Sequence, residues 1–133
     1  MWLKKTFYEI VKFVFKHFPL PMHQFARKAS AAALVAHRQG KFWDYHQSLF
    51  ANPSGINDVR IQEIAKEVHL NLEKFNKDMN DPAIQTVIDR DIKDGNRAEV
   101  RGTPSIFING KMVKMRSLDD IGQMILAELK KKK

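Results

Sequence analysis

No cysteine occurs among the 133 residues. That single absence removes disulfides, thiolate metal sites and cysteine nucleophiles together. Acidic residues are also scarce, 15 against 23 lysines and arginines, for a net charge of +8. Such an excess invites a nucleic-acid or anionic-membrane reading. Yet Lys130–Lys133 supply four of those charges, leaving 19 basic against 15 acidic residues elsewhere. A lysine run at a chain end suits an exposed helix terminus, where it complements the negative end of the dipole. No ladder of alternating aromatic and basic residues of the single-strand-binding kind is present. Long hydrophobic runs are missing too: Lys12, Lys16 and His17 interrupt the most apolar stretch, so no membrane span is expected. Residues 1–20 do not read as an export leader, because Glu9, Lys12 and Lys16 break any apolar region after Lys4 and Lys5. There is no repeat with a period of 20–50 residues and no low-complexity block. With 44% hydrophobic residues, residues 1–133 suit one domain with a modest core.

Apolar spacing predicts mostly helix. Residues 2–9 fit two helical turns with Leu3, Phe7 and Ile10 on one side. Ile10–Phe18 reads as a strand with Val11, Phe13 and Phe15 on one face and Val14 and Phe18 on the other, which suggests an interior position. Pro19 and Pro21 end it. His23 to about Gln39 is helical, with a stripe of Phe25, Ala29, Ala32, Ala33 and Ala36 and a stop at Gly40. Further helices are expected over Lys41–Phe50, residues 58–69, Leu72–Met79, and from Asp81-Pro82 to about residue 99, with Asp81 as N-cap. Pro104–Ile108 and Lys111–Met115 read as two strands joined by an Asn109-Gly110 type I′ turn. Ser117-Leu-Asp-Asp120 opens a last helix as an acidic variant of the capping box.

Few residues stand where chemistry would need them. The five histidines, His17, His23, His37, His46 and His69, form no H-x-x-x-H or H-E-x-x-H pair, so no metal site is expected. Asp89-Arg-Asp-Ile-Lys-Asp-Gly95 has a superficial likeness to a calcium loop, but the first and twelfth ligand positions would fall on Arg90 and Arg101. It is expected to be the charged, solvated face of a helix. Phe42, Trp43 and Tyr45 are expected in the core rather than around a ligand. No nucleophile elbow, P-loop or dinucleotide fingerprint occurs, and no cofactor is implied.

Three segments, in order, carry a resemblance. Val11-Lys-Phe-Val-Phe-Lys-His-Phe-Pro-Leu20, then Gly40-Lys-Phe-Trp-Asp-Tyr-His46 with Leu49-Phe50-Ala-Asn52, then Val100-Arg-Gly-Thr-Pro-Ser-Ile-Phe-Ile-Asn-Gly110 resemble the DsbA-like thiol:disulfide interchange proteins. The resemblance implies an α/β, mostly helical fold: a truncated thioredoxin-like domain with three remaining strands and a helical insertion over about residues 22–99. It implies a cis peptide before Pro104 and a peptide-holding site at Gly102, Thr103 and Pro104. It also implies a periplasmic or cell-envelope setting. The Cys-x-x-Cys turn and the strand before it, which in the family lies between Ile10–Phe18 and Pro104–Ile108, have no counterpart in residues 1–133.

A thiolate nucleophile is the requirement of disulfide exchange. The expectation is therefore a family member inactive in exchange as it stands, with no catalytic residue of its own. The alternative is a non-catalytic module that holds extended peptides at the loop and at open sheet edges. Both readings leave unpaired strand edges, for which a dimer, a domain swap between copies, an N-terminus rebuilt as a strand, or a partner completing the sheet is the expected remedy.

Overall fold

The computed structural model describes residues 11–114 and 117–131, with only the backbone at Pro53. The helix expected over residues 2–9, and the end of the returning strand at Met115, lie outside them. The chain divides into two compact units, one running Lys16–Ala98 and the other combining residues up to Phe15 with those from Glu99 onward.

Alanine builds the first unit. Helix α1 (Ala26–Arg38) carries five buried alanines, Ala29, Ala31, Ala32, Ala33 and Ala36, together with Val35. Alanine gives a helix without side-chain entropy loss and lets neighbouring backbones approach closely. At 100° per residue these positions cover about 200° of the helix surface, twice the width of the stripe read from the sequence. The extra width has a cause: α2 (Phe42–Ala51), α3 (Asp58–Glu67), α4 (Leu72–Met79) and α5 (Pro82–Arg97) all pack on α1. Tyr45, Leu49, Ile61, Ile64, Phe75, Ile84 and Ile88 fill the space around it. Tyr45 is fully buried. Its hydroxyl donates to the Ile61 carbonyl at 2.8 Å, and burial pushes its phenol pKa up.

The helix ends obey local rules. Asn57, Asn71 and Asp81 each accept a backbone N–H from the following turn, at 2.8, 3.0 and 2.9 Å. Helix α1 stops at Gly40, φ +75°, with Gly40 N–H donating to the His37 carbonyl and Lys41 N–H to the Ala36 carbonyl. This is a Schellman stop. Helix α3 ends in the same pattern, His69 N–H to the Lys66 carbonyl and Leu70 N–H to the Ala65 carbonyl, but with His69 at φ 60° in place of glycine.

The second unit holds a hairpin and a helix. Strands β1 (Phe107–Ile108) and β2 (Lys111–Met112) pair antiparallel, Phe107 opposite Met112 and Ile108 opposite Lys111. Asn109 and Gly110 both have positive φ, 48° and 80°, which is the type I′ turn. A bond from Val113 N–H to the Ile106 carbonyl, 2.8 Å, prolongs the pairing. Helix α6 (Leu118–Lys131) starts at Ser117, whose hydroxyl accepts from Asp120 N–H at 3.1 Å. Its Ile121 and Ile125 form a small core with Val113, flanked by Val11, Ile106 and Ile108.

Two strand expectations need correction. Among the described residues of Ile10–Phe18 no strand forms, so two short strands are present where three were expected. Burial does alternate there: Val11, Phe13 and Phe15 are half-buried while Lys12 and Lys16 are exposed. Val14 is 60% exposed, so the segment is not interior. The pleat-like pattern is local, whereas a strand is a pairing, and no described backbone pairs with this segment. Pro104–Ile106 likewise lie outside β1, which begins at Phe107. The mostly helical α/β architecture stands.

His69→Gly should raise the stability of the Lys16–Ala98 unit by about 1 kcal/mol, since it relieves a side chain in the left-handed region. Urea unfolding monitored by circular dichroism measures it; an unchanged or lower midpoint contradicts the assignment.

Candidate functional site

The loop that the sequence singles out precedes β1. Thr103 and Pro104 are exposed, Gly102 is half-buried, and the Thr103–Pro104 peptide is cis. The Ser105 hydroxyl donates to the Gly102 carbonyl at 2.6 Å and closes the bend. A Cβ built on Gly102 would meet nothing within 4 Å, so this glycine is not demanded by crowding in the chain itself. The loop offers backbone groups and a small hydroxyl, and arginine at 101 is exposed beside it. It contains no thiol, and none of these groups can accept or donate a disulfide.

The histidines are scattered, and several have plain structural roles. His69 forms the end of α3, and the His23 carbonyl accepts from Ala26 N–H at 3.1 Å where α1 begins. Among the described residues no group of three His, Asp or Glu side chains is placed to hold a metal ion. His17 and His46 are different. They stand around Phe42: His17 edge-on at 6.1 Å between ring centroids, His46 stacked at 5.4 Å. Trp43 and Phe50 extend the cluster, at 4.9 Å from Phe42 and 4.5 Å from His46 respectively. Phe42 and Trp43, expected in the core, are half-buried and part of this cluster; Tyr45 alone of the three is in the core. Burial lowers the pKa of both imidazoles, and for His17 the Asp91 carboxylate partly offsets it.

Asp89, Arg90 and Lys93 are exposed, as expected of a charged helix face, but Asp91 departs from that reading. Asp91 is only 5% exposed. One carboxylate oxygen accepts the backbone N–H of His17 at 3.0 Å, and the other lies 3.7 Å from Lys16 Nζ. Lys16 also pairs with Asp94 at 2.9 Å, which holds the Asp94 carboxyl below and the Lys16 ammonium above their ordinary values. Gly95 completes the seat: a Cβ there would sit 2.6 Å from the Phe18 ring. Residues 84, 88, 91 and 95 lie on one face of α5, with Ile84 and Ile88 buried. A charged residue on an apolar stripe was the available signal, and the acidic run around it concealed it.

Replacing Asp91 by alanine strands the His17 amide in a buried position and should cost about 1–3 kcal/mol. Asp91→Asn keeps an acceptor and should cost less. Equal losses in the two variants, measured by urea unfolding, would mean that the amide bond is not the important contact.

Comparison with known proteins fits this geometry. Residues 3–125 match the model of the DSBA-like thioredoxin domain. A thioredoxin-like oxidoreductase from Silicibacter pomeroyi DSS-3 superposes with TM-score 0.74 at 25% identity, covering 89% of this chain and 68% of that one. The thiol-disulfide exchange protein alpha-DsbA2 from Wolbachia pipientis gives TM-score 0.79 at 20% identity, over 96% of this chain and 73% of that one, a likeness of fold. Among curated proteins, the Na(+)/H(+) antiporter NhaA 3 of Salinispora tropica is 31% identical over 105 residues, which is 78% of this chain and 16% of the antiporter. NhaA of Herminiimonas arsenicoxydans is 26% identical over 112 residues, 84% of this chain and 18% of that protein. The chain spans about a sixth of the length of the curated relatives it matches. By the extent of the match, the chain belongs to the DSBA-like thioredoxin domain family.

Proposed function

We propose that residues 1–133 form the peptide-facing part of a disulfide-exchange domain and are inert in exchange on their own. The observation that carries this reading is the match of residues 3–125 to the DSBA-like thioredoxin domain in a chain without cysteine. Gly102, Thr103 and Pro104 would hold an extended polypeptide through backbone hydrogen bonds, the mode by which a strand is added to an edge. The reacting thiols would come from outside these residues. The antiporter matches bear on the shared domain, and ion transport does not follow from them: no helix of the described residues is long and apolar enough to cross a membrane. A periplasmic or cell-envelope setting fits the family, because polypeptide disulfides persist there.

The open edges belong to the same reading. A two-stranded hairpin by itself is marginal in water. Its outward pair, Phe107 and Met112, is exposed and apolar, as is Val14. In residues 1–133 alone, a second copy would cover these groups; in a complete domain, another segment would.

The test is a thiol-disulfide exchange assay. Added to insulin and dithiothreitol, the chain should give no reduction rate above the protein-free control, and binding of an extended model peptide should weaken at least several-fold in Thr103→Pro. Catalysed exchange by the purified chain would refute the inactive reading. Unchanged peptide affinity in the variant would remove the loop from the site.

A further inference from the structure

The turn that joins β1 to β2 combines a side-chain amide with a backbone nitrogen able to attack it. Of the seven asparagines in the chain, Asn109 alone precedes glycine. Both turn residues are exposed, and a Cβ built on Gly110 would meet nothing within 4 Å. A glycine nitrogen carries no side chain beside it, so it can close on the Asn109 Cγ with little obstruction.

The other asparagines are engaged differently. Asn52 precedes Pro53, whose nitrogen has no hydrogen to lose. Asn57 and Asn71 accept backbone N–H groups as the caps of α3 and α4. The side chains of Asn76 and Asn80 donate to the carbonyls of Leu72 and Asn76, at 3.0 and 3.2 Å. Asn96 lies within α5, where the helical backbone fixes the amide that follows it.

We propose that Asn109-Gly110 is a self-modification site, at which water converts the Asn109 amide into aspartate or isoaspartate through a cyclic imide with the Gly110 nitrogen, and that the isoaspartate form takes the hairpin apart.

The reaction balances with water alone. Hydroxide takes the Gly110 N–H proton, and the nitrogen attacks Asn109 Cγ. The Cγ–Nδ2 bond breaks, and ammonia leaves with a proton from water. Water then opens the imide. Cleavage between the nitrogen and Cγ gives aspartate; cleavage between the nitrogen and the main-chain carbonyl gives isoaspartate. Nothing is oxidised or reduced. Attack needs the turn to flex, and a hairpin with two residues in each strand opens locally at little cost.

The two products act differently on the structure. Lys111 Nζ lies 2.8 Å from Glu128 Oε1, and Lys131 Nζ lies 3.7 Å from the same oxygen. The Lys111 ammonium foremost, and the Asn109 amide more weakly, hold the Glu128 carboxyl below its ordinary value. Two ammoniums therefore meet one carboxylate beside the turn, and an aspartate at 109 adds a second. Asp-Gly also suits a type I′ turn. The aspartate product keeps the hairpin. Isoaspartate instead inserts a methylene into the main chain, so the two-residue turn no longer holds Ile108 opposite Lys111. The Phe107–Met112 pair and the bond from Val113 N–H to the Ile106 carbonyl are lost with it.

Incubation of the intact chain at mildly alkaline pH, followed by peptide mapping with mass spectrometry, tests the chemistry. Acid should appear at position 109 at least about tenfold faster than at Asn57, Asn71, Asn76, Asn80 or Asn96. The rate should rise with pH, and an isoaspartyl methyltransferase should label the product. Hydrogen exchange by NMR tests the consequence. The Val113 amide should lose protection in the separated isoaspartate form and keep it in freshly prepared Asn109→Asp. Conversion at 109 no faster than at the other asparagines would overturn the proposal. So would a Val113 amide equally protected in the isoaspartate form and the unmodified chain, or equally exposed in Asn109→Asp and the isoaspartate form.

Discussion

The packing of α1 is the constraint on which the better-built part of this chain depends. Five buried alanines and Val35 let four other helices approach one axis closely. A larger residue on that face would push at least one neighbour away, because interiors are as dense as organic crystals. Around it the long side chains come from the partners: Tyr45, Ile64, Phe75 and Ile88 are fully buried. The division of labour is consistent, small residues at the axis and large ones at the periphery. It yields a unit, Lys16–Ala98, whose buried side chains form one cluster and whose helices α3, α4 and α5 carry side-chain caps.

The other unit is built on a thinner plan. Among its described residues the core rests on Val113, Ile121 and Ile125, and the sheet is one short hairpin. One face of that hairpin packs on α6, while Phe107 and Met112 look outward. Burial alternates along residues 11–15, and among the described residues no ladder forms there. A thioredoxin-like fold needs its sheet to be more than two strands wide to bury both faces, and the solved neighbours are longer chains than this one, matched over 68% and 73% of their length. The same deficit explains the chemistry. The loop around Thr103–Pro104 is here, and no thiol that could attack a disulfide is.

Much of this was legible in the sequence, and the reasons for success and failure are local. Helices α5 and α6 announce themselves through Asp81 and Ser117, and α3 and α4 through apolar spacing, because both signals are properties of neighbours in the chain; the caps at Asn57 and Asn71 went unread. The Asn109-Gly110 turn is legible for the same reason. Strand pairing is not: Val11, Phe13 and Phe15 alternate as a strand would, but a ladder needs a partner that no periodicity can report. The width of the buried face on α1 was underestimated because it depends on how many helices converge there. Asp91 was misread because its sequence neighbours Asp89, Arg90, Lys93 and Asp94 suggest a solvated surface, while its burial is decided by the distant segment 16–18. Of the peptide site, Gly102, Thr103 and Pro104 were picked out by resemblance, and what they bind is a matter for experiment.

The central claim is that this chain carries a self-sufficient helical unit joined to a sheet whose edges need cover. Size-exclusion chromatography with multi-angle light scattering on residues 1–133 tests it most directly. The account predicts a species of twice the chain mass that persists on dilution into the micromolar range and keeps its helical circular dichroism. A compact, cooperatively unfolding monomer at every concentration would contradict it.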